Sequence, residues 1–186
     1  MQKPQSMPES TRLVTADELE HMPGDDCRYE LVEGRLIKMR PVGYQHGRIV
    51  VTFGAMLHRH VNAGRLGDVL TELGCKLASN PDTVRAPDLA FIRRERLPTV
   101  PRGFWKGPPD LAVEVLSPDD RPSAIREKVG EYLARGVLVV LVIDPDERTV
   151  VAHRRLTPPI ALHEDDDLDL DDVVTGFRCR VREIFA

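Results

Sequence analysis

PDLAVEVLSP, Pro109 to Pro118, sets a strand-length apolar run between two prolines and places one carboxylate, Glu114, inside it. A short run rich in valine and bounded by proline reads as a buried strand rather than a helix. Burying an unpaired charge is costly, so Glu114 needs either a partner or a task. Upstream, APDLAFI (Ala86 to Ile92) repeats the arrangement, with Asp88 ahead of the apolar run Leu-Ala-Phe-Ile. Downstream, IREKVGEYLARGV (Ile125 to Val137) brings a lysine, Lys128, on a helical pattern. A magnesium-dependent phosphodiesterase requires such strand carboxylates followed by a helical lysine.

Around this nucleus the elements alternate. Thr15 caps a short helix, and Glu18 completes a capping box. Arg28 to Met39 forms a hairpin turning at Glu33-Gly34. From His46 to Val61, Ile49, Val50, Phe53, Met56, Leu57 and Val61 recur at helical spacing. Strands are expected over Asp68 to Leu77 and Val84 to Ile92, divided by the turn Asn80-Pro81-Asp82. A loop from Pro98 to Pro109 then carries Trp105, the single tryptophan. After the Leu111 to Leu116 strand come a helix from Ser123 to Arg135, a β-rich run from Val137 to Ile143 and a strand from Thr149 to Arg154. An acidic loop follows, and Arg180 to Phe185 close the chain as a helix or turn. The pattern is α/β, a mixed β-sheet flanked by helices.

The 186 residues, 41% of them hydrophobic, suffice for one globular domain with its own core, assigned to residues 15–186 behind a polar N-terminal arm at 1–14. Cys27, Cys75 and Cys179 are scattered and odd in number. They imply neither a disulfide framework nor a zinc site, which fits a reducing cytoplasm. No apolar stretch is long enough to span a membrane. The net charge of −4 argues at first against nucleic acid, but the acid is concentrated in Glu164, Asp165, Asp166, Asp167, Asp169, Asp171 and Asp172. With those seven charges set aside the balance becomes +3, and arginines cluster at 93, 94 and 96 and at 154 and 155. That body is mildly basic and compatible with phosphate contacts. Seven like charges should repel one another and DNA, so this segment is expected away from the site or as a mobile cover whose deletion strengthens DNA binding.

Hard divalent cations such as Mg²⁺ or Mn²⁺ take oxygen ligands, usually one or two carboxylates with waters and substrate phosphate. Asp88 and Glu114 suit that role if their strands are neighbours and their carboxylates converge, and the Val115 carbonyl is a further candidate ligand. Lys128, at the edge of the stripe formed by Ile125, Val129, Tyr132 and Leu133, would orient the attacking water and offset developing charge. Plainer readings stand beside these: Asp88 accepting backbone hydrogen bonds at a turn, Glu114 in an ion pair, Lys128 on a solvated helix face. Asp110 shares a strand face with Glu114 and is its nearest rival. No histidine is assigned a metal role; His46 reads as a cap or a satisfied residue at the helix start.

YELVEGR at 29–35, His46 opening a helix, APDLAFI, PDLAVEVLSP, the K-x-x-x-Y helix and the Gly-Val leading into VIDP together resemble the Uma-type putative restriction endonuclease family of the PD-(D/E)XK nuclease superfamily. The likeness runs from about Thr15 to His153. It implies a restriction-endonuclease-like fold, a metal-dependent DNA endonuclease, and a site of Glu30 or Glu33 with Asp88, Glu114 and Lys128. Leu116 holds the position where the superfamily places its lysine, so by resemblance the lysine has moved to the helix. Ala124 stands where the family often has an acid, and Val139, Val140 and Leu141 replace Glu-Tyr-Trp. The competing expectation is a catalytically silent module of the same fold that binds nucleic acid or protein. A two-fold dimer is expected as well, since cutting both DNA strands takes two sites; both faces of the unalternating run Val137 to Ile143 should be covered, by the domain's own helices or, if the strand lay near a sheet edge, by a partner chain.

Overall fold

A computed structural model describes residues 12–22, 27–97 and 102–186. The N-terminal arm as far as residue 11, and residues 98–101 of the expected loop, lie outside that range. In chain order the elements are α1 (Ala16–Glu20), β1 (Arg28–Val32), β2 (Arg35–Met39), α2 (Tyr44–Gly64), β3 (Gly67–Thr71), β4 (Cys75–Ala78), β5 (Thr83–Arg85), β6 (Leu89–Arg93), β7 (Trp105–Lys106), β8 (Leu111–Val115), α3 (Pro122–Ala134), β9 (Val139–Asp144), β10 (Thr149–Arg154), β11 (Thr157–Leu162), β12 (Asp167–Asp169), β13 (Arg178–Arg180) and α4 (Val181–Ile184). Thr15 caps α1 through the capping box with Glu18. Glu33 and Gly34 both take positive φ, as the tight β1–β2 turn demands.

Among the described residues the strands form a main sheet in the order β11-β10-β9-β8-β6-β3, a smaller one in the order β2-β1-β5-β4-β7, and a β12–β13 ribbon. Parallel pairing joins β8 to β9 and β4 to β7, and the other strand pairs are antiparallel. Both faces of the main sheet are covered, which explains the unalternating apolar strands at its centre. Leu111, Val113 and Val115 of β8, with Val139, Leu141 and Ile143 of β9, pack toward α2 and the C-terminal segment. Ala112, Val140 and Val142 face α3 through Val129 and Tyr132. The small sheet has an apolar cluster of its own, Ala16, Leu31 and Val84, at its β1 end.

Four expectations need correction. The run 68–77 is two strands, because Glu72 turns at positive φ and sends the chain from the main sheet (β3) into the small one (β4). The run 84–92 is likewise split at Pro87, which has no N–H to donate to a ladder; β5 lies in the small sheet and β6 in the main one. The strand β9 is interior rather than near an edge, so its apolar run is buried by the chain's own helices and offers no interface. The acidic segment is a ribbon rather than a loop or mobile cover, and of its two expected placements the one away from the site remains: Leu168 and Leu170 alternate with the acids and are buried in the core, while Asp167 and Asp169 pair with Arg180 and Arg178 directly across the ribbon. Arg182 neutralises Asp165 and Arg154 neutralises Asp172.

Candidate active site

Crossing from β5 to β6 sets Asp88 at the first step of the main sheet. There the β6–β8 register, with Leu89 opposite Val113, carried back one residue places Asp88 opposite Glu114. Its Oδ2 accepts the Val115 backbone N–H at 2.7 Å and lies 3.2 Å from His46 Nε2 on the first turn of α2. Glu114 is 7% exposed and shares the α3 face of β8 with Ala112. Lys128 and Tyr132, one helical turn apart on α3, reach it together: Lys128 Nζ donates to Oε2 at 2.8 Å and the Tyr132 hydroxyl to Oε1 at 2.9 Å.

The same lysine lies 3.0 Å from Oε1 of Glu30, which projects from β1 and is 2% exposed. Glu30 also accepts the Ala86 N–H at 3.0 Å and Arg85 Nη1 at 2.8 Å, and Arg85 continues to Glu131 at 2.7 Å. Glu30, not Glu33, therefore joins the cluster. Glu33 sits exposed on the hairpin turn, where its backbone N–H bonds Thr83. Asp110 shares the strand face but belongs to the other end of β8, held by Arg96 at 2.9 Å.

The carboxylates are held differently. Burial, the dominant influence, pushes the Glu114 carboxyl up to about 7; Lys128 pulls it back, while Asp88 and Glu30 add repulsion. Burial acts on Glu30 in the same sense, but Lys128, Arg85 and the Ala86 N–H overcome it and hold Glu30 below the usual carboxylate range. Lys128 sits above the ordinary lysine value because Glu114 and Glu30 outweigh its burial. An open cleft of about 1420 Å³ contains Glu30, His46, Arg85, Asp88, Glu114, Val115 and Lys128 among its lining residues.

This donor set suits a divalent ion of the magnesium type. Among the described residues no cluster of three or more His, Cys, Asp or Glu side chains is arranged to hold a metal. A hard cation that keeps most of its waters needs only one or two carboxylates, and Asp88 and Glu114 supply hard oxygen in the cleft. With Glu114 ionised, four carboxylates (Glu30, Asp88, Glu114, Glu131) face two cations (Arg85, Lys128), a net charge of −2 that a divalent ion balances. The raised pKa of Glu114 reflects its burial first, with repulsion from Asp88 and Glu30 added to it.

Sequence reasoning missed three members of the cluster. His46 was visible at a helix start but had no assigned partner, and Tyr132 read as core although its spacing from Lys128 put both on one face. Arg85 gave no signal, because its two carboxylate partners lie 46 and 55 residues away.

Residues 16–182 match the family described as Uma2, putative restriction endonuclease. A crystal structure of a putative nuclease belonging to DUF820 from Anabaena variabilis superposes with a TM-score of 0.81 at 22% identity, covering 92% of this chain and 97% of that one. The likeness places the two chains in one fold. A search of the curated proteins gives no match.

Proposed function

The chain belongs to the Uma2 family of putative restriction endonucleases, and on that premise we propose that it is a single-domain, cytoplasmic, Mg²⁺- or Mn²⁺-dependent DNA endonuclease acting as a two-fold dimer. The observation that carries this reading is the meeting of Asp88, Glu114 and Lys128 in one cleft on two adjacent strands and the helix behind them. Asp88 and Glu114, with the Val115 carbonyl, are the residues suited to hold the ion. When bound, a divalent ion supplies charge stabilisation at the phosphate and activation of the attacking water.

The remaining work falls to the chain's own groups. Lys128, held charged by two carboxylates, orients the nucleophile and offsets the charge that builds on the phosphate oxygens. Tyr132 fixes the rotamer of Glu114, leaving the carboxylate aimed rather than free. Glu30, itself held by Arg85, anchors Lys128 from behind, in a buried position that excludes bulk water. Water adds to phosphorus as the phosphodiester P–O bond breaks, and the leaving sugar oxygen takes up a proton.

A plasmid-nicking assay with Mg²⁺ or Mn²⁺ tests the reading. The wild-type protein should nick and Asp88→Asn and Glu114→Gln should not. Equal nicking by all three proteins would assign the cutting to a contaminant. A folded protein that neither binds Mn²⁺ nor nicks DNA would leave a silent binding module of the same fold, in keeping with Ala124 at the cleft wall.

A further inference from the structure

His46 is 93% buried, and its Nδ1 atom has no hydrogen-bond partner among the described residues. Its other ring nitrogen lies 3.2 Å from Oδ2 of Asp88. A ring proton on Nδ1 would be a buried donor with nothing to accept it, and so would carry its full desolvation cost. A bare nitrogen there gives up much less. The proton therefore belongs on Nε2, where a carboxylate is waiting for it, and the ring is an uncharged donor.

Oδ2 of Asp88 thus receives two hydrogen bonds, from Val115 N–H and His46 Nε2–H, while among the described residues none engages Oδ1. The Asp88 side chain, 18% exposed, lines the cleft with one oxygen fixed and the other left with its lone pairs. We propose that His46 is a positioning residue that locks Asp88 through Oδ2, presenting Oδ1 to a divalent cation without cancelling the Asp88 charge. Lysine or arginine at this position would also donate, but its charge would compete with the cation. An uncharged donor orients the ligand and preserves its full attraction. Hydrogen-bonded outer partners of this kind typically contribute about 10–100-fold to metal affinity. The inference rests on the proposed divalent-ion site and adds a member to it.

Two measurements separate the possibilities. In the metal-free wild-type protein, long-range ¹H–¹⁵N correlation of the imidazoles should find His46 protonated on Nε2 and bare on Nδ1; the opposite tautomer overturns the inference whatever the metal does. Mn²⁺ titration by calorimetry should then give a Kd weakened about 10–100-fold in His46→Leu and in His46→Asn, whose shorter amide does not reach Asp88. His46→Gln, whose amide nitrogen reproduces Nε2–H, should stay within about threefold of wild type. Thermal melting checks that each variant is folded. Wild-type affinity in folded His46→Leu, or an equal loss in His46→Gln, overturns the positioning role while leaving the site intact. Absence of Mn²⁺ binding by the wild-type protein, with the Nε2–H tautomer observed, overturns the divalent-ion site instead.

Discussion

Lys128 and Glu114 are joined by a 2.8 Å bond from helix α3 to the interior of strand β8, and Glu30 closes on the same ammonium at 3.0 Å. One lysine thus serves two buried carboxylates on two different sheets.

Removing that lysine should destabilise the fold as well as disable the site. Lys128→Met leaves Glu30 and Glu114 facing each other with less compensation, and breaking a buried pair from one side costs about 3–5 kcal/mol. Urea denaturation should register that loss, and nicking should vanish. A variant as stable as wild type would mean that the cluster is more hydrated than its burial implies.

Stability should depend on pH through Glu114. Its folded pKa, about 7, lies above the ordinary carboxyl value of 4.5, so the folded state binds the proton more tightly than the unfolded state. That contribution is complete below pH 4.5 and is lost as pH rises toward about 7. Melting temperatures of the metal-free protein across this window should fall more steeply for wild type than for Glu114→Gln. Mn²⁺ affinity should move the other way, rising as Glu114 deprotonates. Parallel profiles for the two proteins would show that Glu114 does not titrate there.

Glu30 and Glu33 should separate cleanly. Glu30→Gln weakens the hold on Lys128 and should reduce nicking about 10–100-fold, the usual cost of losing a supporting contact. Glu33→Gln, on the exposed turn, should cut as wild type does. Equal losses would place Glu33 in contact with substrate.

The acidic segment is expected to be structural. Deleting residues 164–172 removes Leu168 and Leu170 from the core, so the protein should lose its cooperative melting transition rather than bind DNA more tightly. A folded deletion variant would show that the ribbon is dispensable.

Self-association now rests on the geometry of double-strand cleavage alone, since β9 is covered by its own chain. Light scattering across a concentration series should give twice the monomer mass. A monomer throughout would restrict the protein to nicking.

Much of this was legible because the deciding signals are local. Glu114 inside a valine run, Asp88 after Pro87, and Lys128 four residues before Tyr132 each declare themselves within a few positions. The main sheet followed from apolar runs of strand length. What stayed hidden depends on distant pairing. The split of 68–77 and 84–92 between two sheets is invisible until both sheets exist, and Arg85 finds its acids only across the fold. The acidic ribbon is a different case. Its period-2 leucines were in plain view, but the arginines that neutralise it come 13 and 9 residues later in the paired register, Arg180 for Asp167 and Arg178 for Asp169, and a block of like charge was read without them.

The small sheet carries its own apolar cluster at the β1 end, and what ties that end to α3 is the chain of charges from Glu30 through Arg85 and Lys128. With few apolar contacts joining it to the main sheet, the β1–β2 hairpin is expected to open as a unit of its own. Its amides should exchange with solvent sooner than those of β8 and β9, and each opening would pull Glu30 away from Lys128. The time the proposed catalytic lysine spends held by Glu30 should therefore be set by the breathing of a hairpin that contains neither of the two carboxylates proposed to bind the ion.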